Sequence, residues 1–181
     1  MKGVVTIDKC SILNFMHINR FYLLKALRYS VITTIYVQLE FENSKQKYPD
    51  SFTYFSNLVG SGEISRFPLE LEDLVEMSNV PQSKRASDAE LSCFVVAKRI
   101  GGKIMTDDGK AVKYIQRYIQ MPSGNVTKLV EILIEAYLEN HLGDHELRPI
   151  QKTLENHKFV INIDLANEAA KRRLMMGGYS W

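Results

Sequence analysis

Residues 87–108 (SDAELSCFVVAKRIGGKIMTDD) combine a helix start, a helix stop and a short strand that ends in two carboxylates. Ala89, Cys93, Val96, Ala97 and Ile100 recur at helical spacing. Ser87 with Glu90 three residues later fits a capping box, and Gly101-Gly102 supplies the stop. Ile104-Met105-Thr106 then reads as a buried strand running into Asp107 and Asp108. Val4 to Ile7 has the same character, a β-branched apolar run that ends at Asp8. Continuous apolar strands of this kind belong in a parallel sheet covered on both faces. In such sheets ligands bind beyond the carboxyl ends of the strands, so Asp8, Asp107 and Asp108 stand at the usual place for a site.

The rest of the chain alternates in the same way. Ser11 to Ile18 reads as a helix, Phe21 to Tyr29 as a second, Val31 to Thr34 as a strand and Ile35 to Lys47 as a helix carrying Glu40. Strand, crossover and strand predict right-handed parallel connections. From Tyr48 to Gln82 the pattern weakens at Pro49, Gly60-Ser61-Gly62, Pro68 and Pro81. This stretch reads as an insertion too short to hold its own core, with a helical face at Phe52, Tyr54, Phe55 and Leu58 and an edge strand within Ile64 to Leu69. Gly109 to Ile119 reads as helix, Met121 to Asn125 as a turn, Thr127 to Asn140 as a strongly periodic helix, and Asp144 to Asn156 as a helix interrupted near Pro149. Phe159 to Ile163 is a last strand or an extended segment, and Asp164 caps Leu165 to Leu174. The expected organisation is one domain over residues 1–175, with the insertion at about 48–82 and a tail at 176–181.

Composition narrows the class. A hydrophobic share of 45% is ample for a core. A net charge of +2 is too small to imply a nucleic-acid partner without local patches. The two cysteines, Cys10 and Cys93, sit among apolar neighbours, which suits a reducing cytoplasm and gives no zinc-knuckle spacing. No secretory leader and no apolar run of membrane-spanning length is expected.

The acids are the candidate chemistry: Asp8, Glu40, Asp88, and Asp107 with Asp108. Each has a bland alternative. Asp8 can open a turn, Glu40 can be a solvated helix residue, and Asp88 can stabilise a helix N-terminus through its dipole. Glu90 can be only the capping-box partner, and one of Asp107 and Asp108 can be an N-cap. If a sheet edge gathers them, like charges raise each other's pKa. A hard divalent cation with oxygen ligands, Mg²⁺ or Mn²⁺, relieves that repulsion.

Val4-Val-Thr-Ile-Asp8-Lys-Cys-Ser-Ile-Leu-Asn14-Phe15, Val37-Gln-Leu-Glu40, Ser87-Asp88-Ala-Glu90 and Thr106-Asp107-Asp108 resemble the PIN-domain family in order and spacing. Ile132 to Tyr137, Phe159 to Asn162 and the helix after Asp164 resemble the tail of a bacterial and archaeal PIN subgroup. The resemblance implies a three-layer α/β/α fold with a central parallel sheet of four or five strands. It implies a metal-dependent ribonuclease, often the toxin of a toxin–antitoxin pair, with Asp8, Glu40, Asp88 and Asp107 or Asp108 binding Mg²⁺ or Mn²⁺. The family's Thr-x-Asp pattern favours Asp108. Lys9 departs from the small residue, Thr or Ser usual after the first acid, and adds a cation beside the site.

Other features carry less. His141 and His145 are separated by Gly143 and lack the His-Glu-x-x-His pattern of a helical zinc pair. Ser11 and Ser92 have no matching triad arrangement. Lys9, Lys84, Arg85, Lys110 and Lys113, with Arg117, are candidates to hold RNA phosphates, or they form a solvated charged face. The reading from sequence is a cytoplasmic endoribonuclease for single-stranded RNA, a homodimer with apolar helices to spare at Ser11–Leu27, and an antitoxin as a further partner. Two rivals remain: a PIN-like scaffold that binds RNA or protein without cutting, and a DNA-directed nuclease.

Overall fold

A computed structural model describes residues 2–81 and 86–177. Its centre is a five-stranded, all-parallel sheet, flanked by helices in three layers. The strands are β1 (Gly3–Ile7), β2 (Tyr29–Thr33), β3 (Ser65–Arg66), β4 (Lys103–Met105) and β5 (Val126–Thr127), in the order β3-β2-β1-β4-β5. β1 is central and pairs Val5 with Val31 on one side and Ile7 with Met105 on the other. It is flanked on both edges and covered on both faces, so Val5, Thr6 and Ile7 are all fully buried, as a continuous apolar run requires.

The helices before the middle of the chain are α1 (Lys9–Ile18), α2 (Tyr22–Ala26), α3 (Ile35–Ser44), α4 (Pro49–Gly60) and α5 (Leu71–Ser78). Those after it are α6 (Asp88–Arg99), α7 (Gly109–Tyr114), α8 (Leu129–Leu138), α9 (Asp144–Asn156) and α10 (Leu165–Gly177). α6 is apolar almost all round, with Leu91, Cys93, Phe94, Val95, Val96 and Ala97 fully buried, because it lies between the sheet and the α3 and α5 helices. Its start is the expected capping box: the Glu90 N–H donates to the Ser87 hydroxyl at 3.2 Å, and the Ser87 N–H donates to Glu90 Oε2 at 3.0 Å. Its end is a Schellman turn, in which the Gly102 N–H reaches the Ala97 carbonyl at 2.9 Å and the Gly101 N–H reaches the Lys98 carbonyl at 3.1 Å. Gly101 sits at φ +62° there, a region open to glycine at little cost.

The stretch read as an insertion supplies α4, β3 and α5. β3 is the sheet edge beside β2, and Phe55, Leu58, Ile64 and Met77 are buried in the common core. Arg99 at the end of α6 ties this stretch down. Its Nε donates to both oxygens of buried Asp73 at 3.0 and 3.1 Å, and its other nitrogens reach Glu70 and the Pro68 carbonyl.

Several local expectations change. β5 was expected as turn and helix start; its two residues are too few to show a period, and only pairing with β4 makes them a strand. Beyond α7 the chain widens into a π-helical turn at Ile115–Ile119. α9 runs unbroken through Pro149, held by buried Leu147, Ile150 and Leu154. Residues 159–163 form no strand. The helices at Ser11–Leu27 are not spare: Ile12, Phe15, Leu23, Leu24 and Leu27 are fully buried, because the sheet and α8 need that apolar face. Exposed apolar side chains lie instead on α5, at Leu71, Leu74 and Val75, and at the end of α10, at Leu174, Met175 and Met176. Among the described residues, no helix is long and apolar enough to cross a membrane.

Candidate active site

The carboxyl ends of β1 and β4 place two acids side by side. Asp8 leaves β1 and caps α1, its Oδ1 accepting the Ser11 N–H at 2.7 Å. The Ser11 hydroxyl donates to the Met105 carbonyl at 3.2 Å and ties the first turn of α1 to the end of β4. Immediately before Asp8, the Ile7 carbonyl accepts the Thr33 hydroxyl at 3.0 Å and the Cys93 thiol at 3.6 Å. Asp8 is therefore fixed by β1, β2, β4 and α6 together, and it is only 4% exposed.

Asp107 follows β4. Its Oδ1 accepts the Leu129 N–H at 3.0 Å, at the start of α8. Its Oδ2 is buried and has no hydrogen-bond partner among the described residues. Such an orphan is rare in a native fold and calls for an explanation, an unplaced ion or water among them.

Burial dominates the electrostatics. It pushes the Asp8 carboxyl up to about 6, with Glu90 and Asp107 adding to the rise and Ser11 opposing it. Burial likewise pushes Asp107 up to about 6, against the Leu129 N–H and the Lys128 charge. Glu40 is raised by burial too, with the like charge of Glu90 adding to the rise and Lys9 and a hydrogen bond with Ser87 opposing it. The Cys10 thiol is pushed up to about 11 by desolvation and by Asp8, Glu90 and Glu40, so it is protonated at neutral pH and is no nucleophile.

These acids open onto a cleft of about 600 Å³. Asp8, Asn14, Glu90, Thr106, Asp107 and Asp108 line one side of it, and Lys128 and residues 157–163 line the rest. Asp108 is the more exposed of the pair and caps α7, its Oδ1 accepting the Lys110 N–H at 2.7 Å. Glu40 lies on α3, outside the cleft lining, with its carboxyl hydrogen-bonded to Ser87 at the N-cap of α6. Asp88 is exposed at the first position of α6 and also lies outside the lining, whereas Glu90, two residues on, lines it while closing the capping box. From sequence Glu90 reads as a cap alone; only the angle of α6 against β1 gives it the second role.

Among the cationic candidates, Lys9 turns away from the cleft. Its Nζ donates to the Glu40 carbonyl at 3.0 Å and the Ser44 hydroxyl at 2.8 Å, and it lies 5.1 Å from the Phe41 ring centroid. Lys110 and Lys113 are exposed on α7, and Arg117 lies over the Tyr118 ring. Lys84 and Arg85 lie outside the described residues. His141 precedes α9 while His145 lies on it, so they share no helical face.

The donor chemistry fits a hard divalent cation. No three His, Cys, Asp or Glu side chains among the described residues form a ready-made cage. Mg²⁺ does not need one, since it is held by one or two carboxylates and keeps several waters. Asp8 and Asp107 provide two desolvated carboxylates and one oxygen without a hydrogen-bond partner among the described residues.

No curated protein and no solved structure matches the chain. The family model described as a PIN domain matches residues 4–173, a span that includes both acid-bearing strands, the 48–82 stretch and α10. PIN domains are generally nucleases, most of them acting on RNA. Parallel sheet, acidic strand ends and a match over nearly the whole chain agree: this chain belongs to the PIN domain family.

Proposed function

We propose that the protein is a metal-dependent endoribonuclease that cuts single-stranded RNA, with Asp8 and Asp107 holding Mg²⁺ or Mn²⁺ and with Glu90 and Asp108 at the rim. The observation that carries this reading is the buried, unpartnered Oδ2 of Asp107 beside an Asp8 carboxyl pushed up to about 6. Two desolvated acids form a poor structural feature and a good cation seat. When bound, the cation supplies Lewis-acid charge at phosphorus and lowers the pKa of a water.

The chain's own residues do the positioning. The hydrogen bonds from the Ser11 and Leu129 N–H groups fix one oxygen of each acid in the lining of the cleft. Asn14 and Thr106 add neutral polar groups to the lining, suited to orienting a phosphodiester or a water. Lys128 brings positive charge near Asp107, where a substrate phosphate needs it. Glu40 on α3 and Asp88 at the start of α6 support the site. By this reading the protein works in the cytoplasm as the toxin of a toxin–antitoxin pair, and the exposed α5 stripe is the surface for a homodimer or an antitoxin.

A scaffold that binds without cutting is the second reading, favoured by the exposed position of Asp88 and the absence of a ready-made cage. Cleavage of mixed structured and unstructured RNAs, with Mn²⁺ and with EDTA, separates the two. Cutting that needs the metal and disappears in Asp8→Asn supports the nuclease. RNA binding with no cutting above the EDTA blank supports the scaffold.

A further inference from the structure

Part of the cleft lining is built by the end of α9 and the residues after it. At the end of α9 the Phe159 N–H reaches the Leu154 carbonyl at 3.0 Å, and the Lys158 N–H reaches the Glu155 carbonyl at 2.9 Å. This is the same Schellman pattern that ends α6. There the left-handed position is Gly101; here it is Lys158, at φ +65°. A residue with a side chain is disfavoured in that conformation, and glycine is the usual occupant. The lysine is thus held in an unfavourable backbone conformation on the rim of the acidic cleft, the kind of outlier that points toward a role. Asn19, Gln120 and Asn140 take a similar conformation at other helix ends, as does Arg28, which pairs with Glu139. Lys158 forms no ion pair among the described residues, and neither does Lys128.

The same part of the lining also carries apolar side chains. Phe159 is half-buried against the core, and Val160 is 75% exposed. The neighbouring acid, Glu131, is already neutralised by Arg172 at 2.7 Å. Unpaired cations beside an exposed apolar ledge suit a polynucleotide strand, whose phosphates take lysines and whose bases take a flat hydrophobic surface. A cleft of about 600 Å³ has room for a nucleotide-sized group.

We propose that Lys128, Lys158 and the Phe159–Val160 ledge form a strand-positioning subsite for single-stranded nucleic acid, with a phosphate on the two lysines and a base on the ledge. This deepens the nuclease reading and rests on it for its biological meaning. It does not depend on cutting. The two lysines are positioning residues in the lining of the same cleft as Asp8 and Asp107, with Lys128 near Asp107.

The test is binding of a fluorescein-labelled oligo(U) ten-mer in EDTA, followed by anisotropy over a salt series. Lys158→Gly relieves the left-handed strain, so it is expected to melt higher than the wild type while binding about 5- to 10-fold more weakly. Lys128→Gln is expected to weaken binding to a similar degree. Each substitution should lower the slope of log K against log salt by about 0.7, the value for one lost contact to a single strand. Lys25→Gln, on the exposed side of α2, should bind like the wild type. Stronger binding of oligo(U) than of oligo(dT) assigns the subsite to RNA, and the reverse assigns it to DNA. If the wild type does not bind, or if Lys158→Gly and Lys128→Gln bind as it does, the subsite is overturned. A wild type that still cuts RNA in that case keeps the nuclease reading. Lysine-dependent binding without cutting supports the subsite and sinks the nuclease.

Discussion

Asp107 gives one carboxylate oxygen to the backbone N–H of Leu129 at 3.0 Å and leaves the other buried with no hydrogen-bond partner among the described residues. One bond thus fixes the acid at the start of α8. The Thr-x-Asp pattern points to Asp108, which in the structure is exposed and already engaged as the cap of α7.

The two neighbours should therefore separate on substitution. Asp107→Asn should lower RNA cleavage about as much as Asp8→Asn, by a factor of roughly a hundred or more. Asp108→Asn should cost less, since asparagine is an equally good N-cap. Single-turnover rates of the three variants in Mn²⁺ check this, and an Asp108 variant as dead as Asp8→Asn would return the role to Asp108.

Asp8 should make stability depend on pH in a definite direction. Its folded-state carboxyl is raised from 3.8 to about 6, so the folded protein binds the proton more tightly than the unfolded chain. The metal-free protein should lose stability as pH rises from about 4 through about 6 and level off above that, with Asp107 acting in the same sense. The cost for Asp8 is on the order of 3 kcal/mol. Asp8→Asn keeps the cap on α1 and removes the charge, so it should raise stability in EDTA at pH 7 by about 1–3 kcal/mol. Urea melts of both proteins at pH 5 and pH 7 check the sign; an Asp8→Asn variant less stable than the wild type at pH 7 contradicts it.

Mn²⁺ should reverse that penalty. At a concentration tenfold above its dissociation constant, a cation bound only by the folded state adds about 1.4 kcal/mol. For a domain of this size that is a rise in Tm of about 3–6 °C. The rise should be larger at pH 7 than at pH 5, because ionised carboxylates bind the ion, and it should vanish in Asp107→Asn. A melting temperature insensitive to millimolar Mn²⁺ at both pH values would remove the cation from this site.

Arg99 should matter to the fold and not to the chemistry. It holds buried Asp73, Glu70 and the Pro68 carbonyl, and so fastens the 68–78 stretch to α6. Arg99→Ala leaves Asp73 buried and unpaired, a loss of about 3–5 kcal/mol. Thermal melting should show the loss, while cleavage at a temperature well below the transition should stay close to wild type. A variant that melts with the wild type would mean that the hydrophobic contacts of α5 hold the segment alone.

The sequence by itself determined the elements whose signals are local. The apolar runs before Asp8 and Asp107 made strands, and Ser87-x-x-Glu90 and Gly101-Gly102 bounded a helix, because caps, stops and periodicity act within a few residues. The order of the acids along the chain was sufficient to point to the family. Only the tertiary structure decided the rest. β3 and β5 are two residues each and exist through pairing with β2 and β4. The helices at Ser11–Leu27 have an apolar face that no spacing could assign to a core or to a partner; the sheet claimed it. Within the acids, Glu90 lines the cleft and Asp88 does not, although both stand in the same turn. Asp107 carries the buried oxygen although Asp108 is adjacent. Burial depends on which surfaces meet, and a carboxylate becomes reactive through the water it loses. The pattern of residues does not encode that loss until the sheet, α1, α6 and the 157–163 segment close around the same cleft.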